Sequence, residues 1–319
     1  MATSTNDNRL PITLASGIYD ITQPLINGLV DVEGIKLNVL SDFINVDAIF
    51  RRMLKLEFDA AEMSTAHYLV ARQRGIPIVA VPVFLNRLFI QSFMYKNKNS
   101  NIKGPADLIG KRVGVPQHQA TRPMWVRGVF EDVYGVKRTD VTWVTDFPEK
   151  MDLGVAPGVR VERAPEGKTN GDLLAEGELA AAMCWHPPQY DDVVPLFDDT
   201  KVEEIRYFKQ TGLFPIMHTV VVKQEIIDKY PWVARYVTEA YSKSKNMWYQ
   251  WRNRFAGGSL TLCKYDLKEQ NALLGVDPFP FDVKSNLKVV ETTARYSAAD
   301  QFITPINNVG SLWLQDLEI

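Results

Sequence analysis

Short apolar runs alternate with stretches of helical spacing along the first part of the chain. The runs are rich in β-branched and aromatic residues and end at turn residues, which predicts strands over residues 12–15, 35–40, 58–63 and 78–84. Between the runs, apolar residues recur at helical spacing, as in residues 46–54. Strands that alternate with helices predict an open α/β sheet, whose ligands lie beyond the carboxyl ends of the strands.

One of these runs, residues 78–84, is apolar at almost every position, which favours a fully buried parallel strand. Pro82 lies inside it, so we expect a strand end or a bulge there, because proline cannot donate a hydrogen bond to a neighbouring strand. A second α/β unit follows, with strands predicted over residues 111–115, 141–144 and 178–185.

Two further strand-like stretches are predicted to connect the two α/β units. They cover residues 88–95 and 213–222. The sequence therefore predicts an α/β protein with two α/β lobes and a central cleft. We expect lobe 1 to contain residues 1–90 plus 223–319 and lobe 2 to contain residues 91–222, with crossings near 88–95 and 213–222.

Polar residues follow the predicted strand at 111–115, where the chain turns into a helix. Pro123 fits the first helical turn, and Thr121 or Arg122 lies close to the N-cap. Free N–H groups and the positive end of the helix dipole favour a carboxylate or another anion at such a turn. An ordinary turn with solvated side chains would give the same pattern. The hypothesis of an anion-binding site here therefore depends on whether other strands also end in polar residues.

The composition and charge of the chain argue against several classes of function. The net charge is −2, and no Lys/Arg cluster is interleaved with aromatic residues, so we expect no nucleic acid as a partner. No apolar run is long enough to span a membrane. The two cysteines, Cys184 and Cys263, are far apart and form neither a zinc spacing nor a disulfide framework. Because residues 1–10 lack the features of a signal peptide, we expect a cytoplasmic protein.

All four histidines lie at or near predicted strand-to-helix or interlobe junctions. A single histidine in such a place is more often structural, but four together indicate a cleft. Imidazoles move protons near neutral pH, and guanidinium groups bind carboxylates in a bidentate manner. The candidates from these segments are His67, His118, His186, His218, Glu62, Ser64, Arg87, Gln117, Gln119, Thr121, Arg122, Trp125, Trp185 and Phe214.

Other chemistry has less support in the sequence. No Gly-rich phosphate loop follows a strand, so we expect no organic cofactor. No Gly-x-Ser-x-Gly elbow is present, and a nucleophilic Cys184 beside His186 would need a geometry that sequence alone does not give. Histidines with Glu62 could hold a metal, yet no His-x-x-x-His motif is present. We therefore predict no metal, while the sequence leaves a divalent ion open.

Several blocks in a fixed order resemble the 4,5-dihydroxyphthalate decarboxylase family. They include Ser16-Gly17-Ile18-Tyr19-Asp20, Phe50-Arg51-Arg52-Met53, Glu62-Met63-Ser64, Gly110-Lys111-Arg112-Val113-Gly114-Val115-Pro116 and Thr211-Gly212-Leu213-Phe214-Pro215-Ile216-Met217-His218. The resemblance extends over nearly the whole chain to about Trp232. It implies a type 2 periplasmic-binding-protein-like fold and a non-oxidative decarboxylase of a hydroxylated aromatic dicarboxylate. The implied partner is a small aromatic carboxylate, and a homo-oligomer stays open.

Such a reaction needs a base for the phenol, an acid at the ring carbon and cations for the retained carboxylate. We predict His218 and His118 as the acid/base pair, with His186 third. Arg87, Arg122 and Thr121 are expected to anchor carboxylate, with the remaining candidates around them. The alternative is a solute-binding protein that uses the same residues to hold an aromatic carboxylate without catalysis. The missing export signal favours the enzyme.

Overall fold

The computed structural model describes residues 8–42, 46–254, 263–315 and 317 of the chain. Within this part, the first of two sheets has five strands, β1 (Leu10–Ala15), β2 (Ile35–Leu40), β3 (Ala60–Ser64), β4 (Ile78–Arg87) and the late strand β11 (Ile216–Lys223). Their spatial order is β2-β1-β3-β11-β4. Strand β1 pairs in parallel with β2 and β3, whereas β11 runs antiparallel between β3 and β4.

The second sheet has six strands in the described part of the chain: β5 (Met94–Asn97), β6 (Arg112–Val115), β7 (Thr142–Thr145), β8 (Arg160–Arg163), β9 (Ala181–Met183) and β10 (Val193–Pro195). Their spatial order is β10-β5-β9-β6-β7-β8. Strand β6 lies parallel to both of its neighbours, β9 and β7. The segments that follow these three strands therefore meet at one edge of the sheet.

Helices cover both sheets and connect their strands, which is the arrangement predicted for two α/β lobes. They are α1 (Gln23–Ile26), α2 (Val46–Met53), α3 (Thr65–Gln73), α4 (Thr121–Tyr134), α5 (Asn170–Ala175), α6 (Thr200–Thr211), α7 (Gln224–Lys229), α8 (Val233–Arg252), α9 (Cys263–Leu274) and α10 (Val283–Ala299). The predicted fold class, two α/β lobes around a central cleft, is confirmed. No helix in the described ranges is both long and apolar enough to cross a membrane.

Strand β4 differs from the prediction in direction. It is almost fully buried, as its apolar sequence indicated, but it pairs antiparallel with β11. Its other edge is covered by the C-terminal segment, in which Trp313 bridges to Ala80. Burial on both faces and a covered edge therefore produce the apolar run that a parallel strand would also show. The β4–β11 register shifts at Thr219 and Val220, opposite Pro82, so the expected bulge is confirmed.

The polar second half of lobe 2 contains elements that the hydrophobic pattern did not predict. Strand β8 lies in a segment rich in Pro, Gly and charged residues, and β10 and α6 follow β9. Strand β8 lies at the edge of its sheet and is mostly exposed, so it carries no apolar alternation. Only one residue of α6, Tyr207, is buried. Pairing and packing with neighbours, rather than local pattern, determine these elements.

The sheet to which each strand belongs indicates where the chain divides into lobes. The first sheet takes its strands from residues 10–87 and 216–223, and the second from residues 94–195. The strand Ile216–Lys223 thus belongs to the first sheet, whereas the apolar pattern of residues 213–222 predicts a crossing that ends lobe 2. We propose that the lobes divide near residues 88–93 and 212–215.

A buried ion cluster fastens α10 to α4 behind the cleft. Arg127 in α4 and Asp300 at the end of α10 are both fully buried, and Nη2 of Arg127 lies 2.5 Å from Oδ2 of Asp300. Arg138 contacts the second oxygen of Asp300 at 2.5 Å. Tyr296 of α10 packs so closely on Gly128 that a Cβ there would overlap the ring. The two helices therefore form a tight joint between the lobes.

Replacing Asp300 with Asn is expected to lower the free energy of unfolding by about 3–5 kcal/mol, because it leaves the Arg127 guanidinium buried without its counter-charge. Urea denaturation followed by circular dichroism measures this loss. The matched control is Glu239→Gln, which breaks the more exposed pair between Glu239 and Lys243 on α8. The control should cost about 0.5 kcal/mol or less. Equal small losses from both variants would contradict a stabilising cluster.

Candidate functional site

A cavity of about 430 Å³ lies between the lobes. It is bounded by the carboxyl ends of β3 and β4, the first residues of β11 and the N-terminal end of α4. Strand β11 runs antiparallel to β3 with His218 opposite Ser64, so the start of one strand meets the end of the other. The lining residues are Tyr19, Val46, Asp47, Phe50, Ser64, Asn86, Ala120, Thr121, Arg122, Lys150, Trp185, His186, Met217 and His218.

Glu62, Tyr19 and His218 form a hydrogen-bonded group on the first-lobe wall of the cavity. Glu62 is fully buried, and its Oε1 lies 2.6 Å from the Tyr19 hydroxyl and 2.5 Å from Nδ1 of His218. The backbone N–H of Gly17 donates to Oε2 of Glu62 at 2.6 Å. A Cβ at Gly17 would lie 2.7 Å from the same oxygen, so this approach requires glycine. Three donors thus satisfy the buried carboxylate.

The Glu62 carboxylate determines which nitrogen of His218 serves a ligand. An ionised carboxylate only accepts hydrogen bonds, so Nδ1 of His218 carries the hydrogen that is donated to Glu62. Nε2 is then the nitrogen left for a ligand, and Glu62 stabilises the imidazolium when Nε2 is protonated. Phe50 packs edge-on against the imidazole, with ring centroids 4.9 Å apart. The pair is therefore oriented to transfer a proton at Nε2.

Asn86 completes this group from the end of β4. Its backbone φ is +51°, a left-handed value that asparagine adopts more readily than most residues. Its Nδ2 lies 3.4 Å from the Tyr19 hydroxyl. Burial raises the pKa of Tyr19 well above its ordinary value, and the Glu62 carboxylate raises it further. Tyr19 therefore remains protonated near neutral pH and donates to Glu62.

Ser64 and Thr121 join the two lobes beside this group. Their hydroxyl oxygens are 2.7 Å apart, and the Thr121 hydroxyl also accepts the backbone N–H of Ala66 at 3.1 Å. The first turn of α3 is thus capped from the other lobe. Nδ1 of His67 lies 2.9 Å from the Ser64 hydroxyl, and burial lowers the pKa of His67 to about 3, with Lys150 lowering it further. His67 is therefore neutral at pH 7 and orients Ser64.

Arg122 presents unpartnered donors on the second-lobe wall. Its guanidinium carbon lies 4.2 Å from the ring centroid of Phe93 and 4.7 Å from that of Trp185. Within the described part of the chain, its Nε and Nη1 are buried and have no hydrogen-bond partner. Burial lowers the pKa of Arg122 to about 10, so the side chain is still a cation at pH 7. Buried unpaired donors on a cation are costly, so this position suits a carboxylate.

An ion pair crosses the cleft elsewhere in the cavity. Oδ1 of Asp47, in α2, lies 2.8 Å from Nζ of Lys150, in the segment after β7. The Lys150 side chain is almost fully buried, and its Nζ also donates to Oε1 of Gln117 at 3.0 Å. The pair connects the lobes and lines the same cavity as Arg122 and His218.

Six of the side chains predicted from the sequence line this cavity, with His186 exposed at its rim: Ser64, Thr121, Arg122, Trp185, His186 and His218. Two more, Glu62 and His67, lie directly behind the wall and are bonded to His218 and Ser64. These polar residues therefore lie together near the ends of strands, as the sequence predicts. Their chemical roles stay predictions.

His118, predicted as the partner of His218, lies behind the wall instead. Its ring packs edge-on against Phe302, with centroids 5.8 Å apart, and neither ring nitrogen has a hydrogen-bond partner among the described residues. Burial lowers the pKa of His118 to about 2, and the cations Arg127 and Arg138 lower it further. The neutral, enclosed imidazole therefore lies outside the lining of the cavity, which does not favour the predicted part of His118 in the acid/base pair.

Arg87 and Phe214, also predicted at the site, line a separate pocket of about 460 Å³ beside the crossing segments. Arg87 donates to Oδ1 of Asn286, and its guanidinium carbon lies 5.8 Å from the centroid of the Phe214 ring. Trp125 is buried between α4 and α10, where its ring centroid is 5.1 Å from that of Tyr296. These three residues therefore lie outside the lining of the cavity between β3, β11 and α4: Arg87 and Phe214 line the second pocket, and Trp125 packs between two helices.

Gln117 and Gln119 are buried in the turn before α4. Gln117 contacts Lys150, and the backbone N–H of Gln119 donates to Oε2 of Glu149 at 3.1 Å. The two glutamines therefore support the second-lobe wall instead of lining the cavity.

Four polar residues of the cavity were missed by the sequence analysis. Tyr19 and Asn86 follow the pattern that identified the others, because each lies at or just beyond the end of a strand. Asp47 and Lys150 carried no such signal. Asp47 lies on an amphipathic helix, and Lys150 lies in a segment rich in Pro, Gly and charge.

The described ranges contain neither an assembled metal site nor a reactive thiol at Cys184. No group of three or more His, Cys, Asp and Glu side chains in them is placed to hold a metal ion. Burial raises the pKa of the Cys184 thiol to about 12, and Asp146 raises it further, so a Cys184 thiolate is not available near neutral pH.

Comparisons with known proteins agree with the resemblance noted in the sequence. A family model described as NMT1/THI5 like matches residues 31–147. A protein named 4,5-dihydroxyphthalate decarboxylase from Comamonas testosteroni is 33% identical over 308 residues, which cover 92% of this chain and 92% of the relative. A protein of the same name from Pseudomonas putida is 38% identical over 184 residues, which cover 55% of this chain and 70% of the relative.

Among solved structures, the fold is similar to that of the periplasmic aliphatic sulphonate binding protein SsuA from Escherichia coli. The TM-score is 0.56 at 13% identity, covering 96% of this chain and 92% of the other. At that identity the likeness shows the fold alone, and it confirms the type 2 periplasmic-binding-protein-like architecture. The alignment with the Comamonas protein, at 33% identity over almost the full length of both chains, places this chain in the 4,5-dihydroxyphthalate decarboxylase family.

Proposed function

We propose that the protein is a carboxy-lyase that releases CO2, without oxidation, from a hydroxylated aromatic dicarboxylate such as 4,5-dihydroxyphthalate. One observation carries the proposal: the Glu62–His218 pair and the unpartnered guanidinium of Arg122 lie on different walls of one cavity. The first supplies a proton and the second a carboxylate site. The cavity volume suits a single substituted benzene ring, and the names of the family relatives support the substrate class.

The chemistry explains why both features are needed. Loss of CO2 would leave a carbanion in the plane of the ring unless the carbon that bears the carboxylate is protonated first. A hydroxyl para to that carbon supplies the electron pair, which gives a dienone intermediate. The bond to the carboxylate then breaks, and its electron pair restores the aromatic ring. Each CO2 released consumes one proton from the acid.

We assign the acid to Nε2 of His218, because Glu62 holds the ring and stabilises its protonated form. Arg122 and the N-terminal turn of α4 hold the retained carboxylate. The rings of Phe50 and Trp185 shield the departing carboxylate from water. His186, exposed at the rim, passes protons between His218 and solvent. His118, the predicted partner of His218, has no part in this scheme.

Incubation of the wild-type protein with 4,5-dihydroxyphthalate tests the proposal. We expect equal amounts of CO2 and 3,4-dihydroxybenzoate, with no dioxygen or nicotinamide cofactor consumed. In heavy water, the product should carry one deuterium at the carbon that lost its carboxylate, because that carbon is protonated during the reaction. Binding without CO2 release across a panel of hydroxylated phthalates would overturn the proposal.

The second candidate is a solute-binding protein for a small aromatic carboxylate, and the fold shared with the sulphonate-binding protein favours it. A binding protein needs Arg122 but has no use for an imidazole oriented by a buried carboxylate. Replacing Glu62 with Gln separates the two functions. For the enzyme, CO2 release should fall sharply while ligand affinity changes little. For a binding protein, there is no CO2 release to lose.

A further inference from the structure

The Asp47–Lys150 ion pair lines the same cavity as Arg122 and His218. Arg122 stacks on Trp185, which follows β9, whereas Lys150 follows β7. Strands β9 and β7 flank β6 on opposite sides, so different segments of the second lobe carry the two cations. A substituted ring whose carboxylate is held by Arg122 would share the cavity with Asp47 and Lys150, which are available for its other substituents.

The Lys150 side chain is held in place from its own lobe. Glu149, the preceding residue, accepts the backbone N–H groups of His118 at 2.5 Å and Gln119 at 3.1 Å. Gln117, in the same turn, accepts from Nζ of Lys150 at 3.0 Å. The segment after β7 is thus fixed to the turn before α4, and the ammonium group is positioned before any ligand binds.

The ammonium of Lys150 retains a donor for a ligand. It carries three N–H groups, and the described structure uses one for Asp47 and one for Gln117. The Asp47 carboxylate beside it is a hydrogen-bond acceptor that also lines the cavity. A group that both donates and accepts hydrogen bonds matches this pair, and a phenolic hydroxyl is such a group.

We propose that Asp47 and Lys150 form the subsite for the phenolic oxygen para to the departing carboxylate, an inference that rests on the proposed decarboxylation. Asp47 accepts the phenolic proton while Nε2 of His218 delivers a proton to the ring carbon, which gives the dienone. The bond to the carboxylate breaks, CO2 leaves, and the electron pair returns through the ring to the oxygen. The phenolate takes its proton back from Asp47, and His218 is protonated again from solvent.

The charge balance at the Asp47–Lys150 pair supports the assignment. Burial lowers the pKa of the Lys150 ammonium, whereas the Asp47 carboxylate raises it. Once Asp47 has accepted the phenolic proton, it no longer balances the Lys150 charge. The negative charge that returns to the phenolic oxygen then takes its place. Lys150 therefore interacts more strongly with the reacting state than with the bound substrate, as catalysis requires.

Calorimetry with two stable ligands tests the subsite. The wild-type protein is expected to bind 3,4-dihydroxybenzoate about 10- to 100-fold more tightly than benzoate, because the hydroxyls bond to charged groups. Asp47→Asn and Lys150→Met should each reduce this ratio to about 3 or less, while the affinity for benzoate stays within about threefold. The matched control is the exposed Lys168–Glu176 pair, in which Lys168→Met and Glu176→Gln should leave the ratio unchanged.

A pair that only fastens the lobes would behave differently. The exchanged double variant, Asp47→Lys with Lys150→Asp, keeps an ion pair across the cleft. If the single variants weaken both ligands equally and the exchanged pair restores both affinities together, the pair only fastens the lobes and the subsite is overturned. The test is independent of turnover: loss of the ratio supports the subsite even if the wild-type protein releases no CO2, a result that would overturn only the proposed decarboxylation and the proton transfer to Asp47.

Discussion

Replacing His218 with Gln is expected to lower kcat for CO2 release by about 10²- to 10⁴-fold, the usual contribution of a positioned acid or base. Glutamine has nearly the reach of histidine, and its amide can still donate to Glu62, so the wall of the cavity should survive. It does not deliver a proton at the position of Nε2. The affinity for 3,4-dihydroxybenzoate should therefore change by about threefold or less, and stopped-time CO2 assays with calorimetry measure both quantities.

His118→Gln is the informative control for this prediction. The sequence favoured both histidines, whereas the His118 ring lies behind the cavity wall and makes no hydrogen bond that the substitution would remove. We expect kcat for this variant to stay within about threefold of the wild-type value. Near-native turnover in His218→Gln would sink the assignment of the acid, and a collapse in His118→Gln alone would restore the pairing inferred from sequence.

The second large effect is expected from Arg122→Ala. Its guanidinium carries buried donors that no group of the described chain accepts, so a bound carboxylate would be its partner. Truncating one partner of a buried charge pair costs 2–5 kcal/mol, so the dissociation constant for 3,4-dihydroxybenzoate should rise by about 100-fold. Arg122→Lys should recover only part of the loss, because an ammonium lacks the planar fork of donors and stacks less well on Phe93 and Trp185.

Arg160→Ala provides the matched control for the loss of one arginine, since Arg160 is exposed on the edge strand β8. Its ligand affinity should equal that of the wild-type protein. The same control addresses a general effect of net charge, because both variants lose one positive charge. An Arg122→Ala variant that binds 3,4-dihydroxybenzoate with native affinity would show that the carboxylate is held elsewhere in the cavity.

Local patterns in the sequence were sufficient for the elements that are buried on at least one face. Strands β1, β2, β6 and β7 and helices α2 and α4 lie close to their predicted positions, because burial imposes a period of two or 3.6 on apolar residues. The same logic gave the carboxyl ends of strands as the location of the site. Exposed elements such as β8 and α6 escaped detection, because little in their composition depends on burial.

Local sequence patterns do not predict which strands pair or which way a side chain points. An apolar run looks the same in a parallel strand and in β4, whose free edge is covered by the segment around Trp313. His118 and His218 both lie at predicted junctions between elements. The tight α4–α10 joint encloses the first, while antiparallel pairing of β11 with β3 brings the second to the cavity beside Glu62.

The sequence by itself determined the two-lobed α/β fold, the family and the gathering of polar residues at strand ends, because these follow from hydrophobic period and from motifs in a fixed order. Only the tertiary structure decided which polar residues share the cavity. Residues such as Asp47 and Lys150 lie far apart in the chain and meet across the cleft. Their 2.8 Å contact depends on how the lobes pack, and no local pattern encodes that distance.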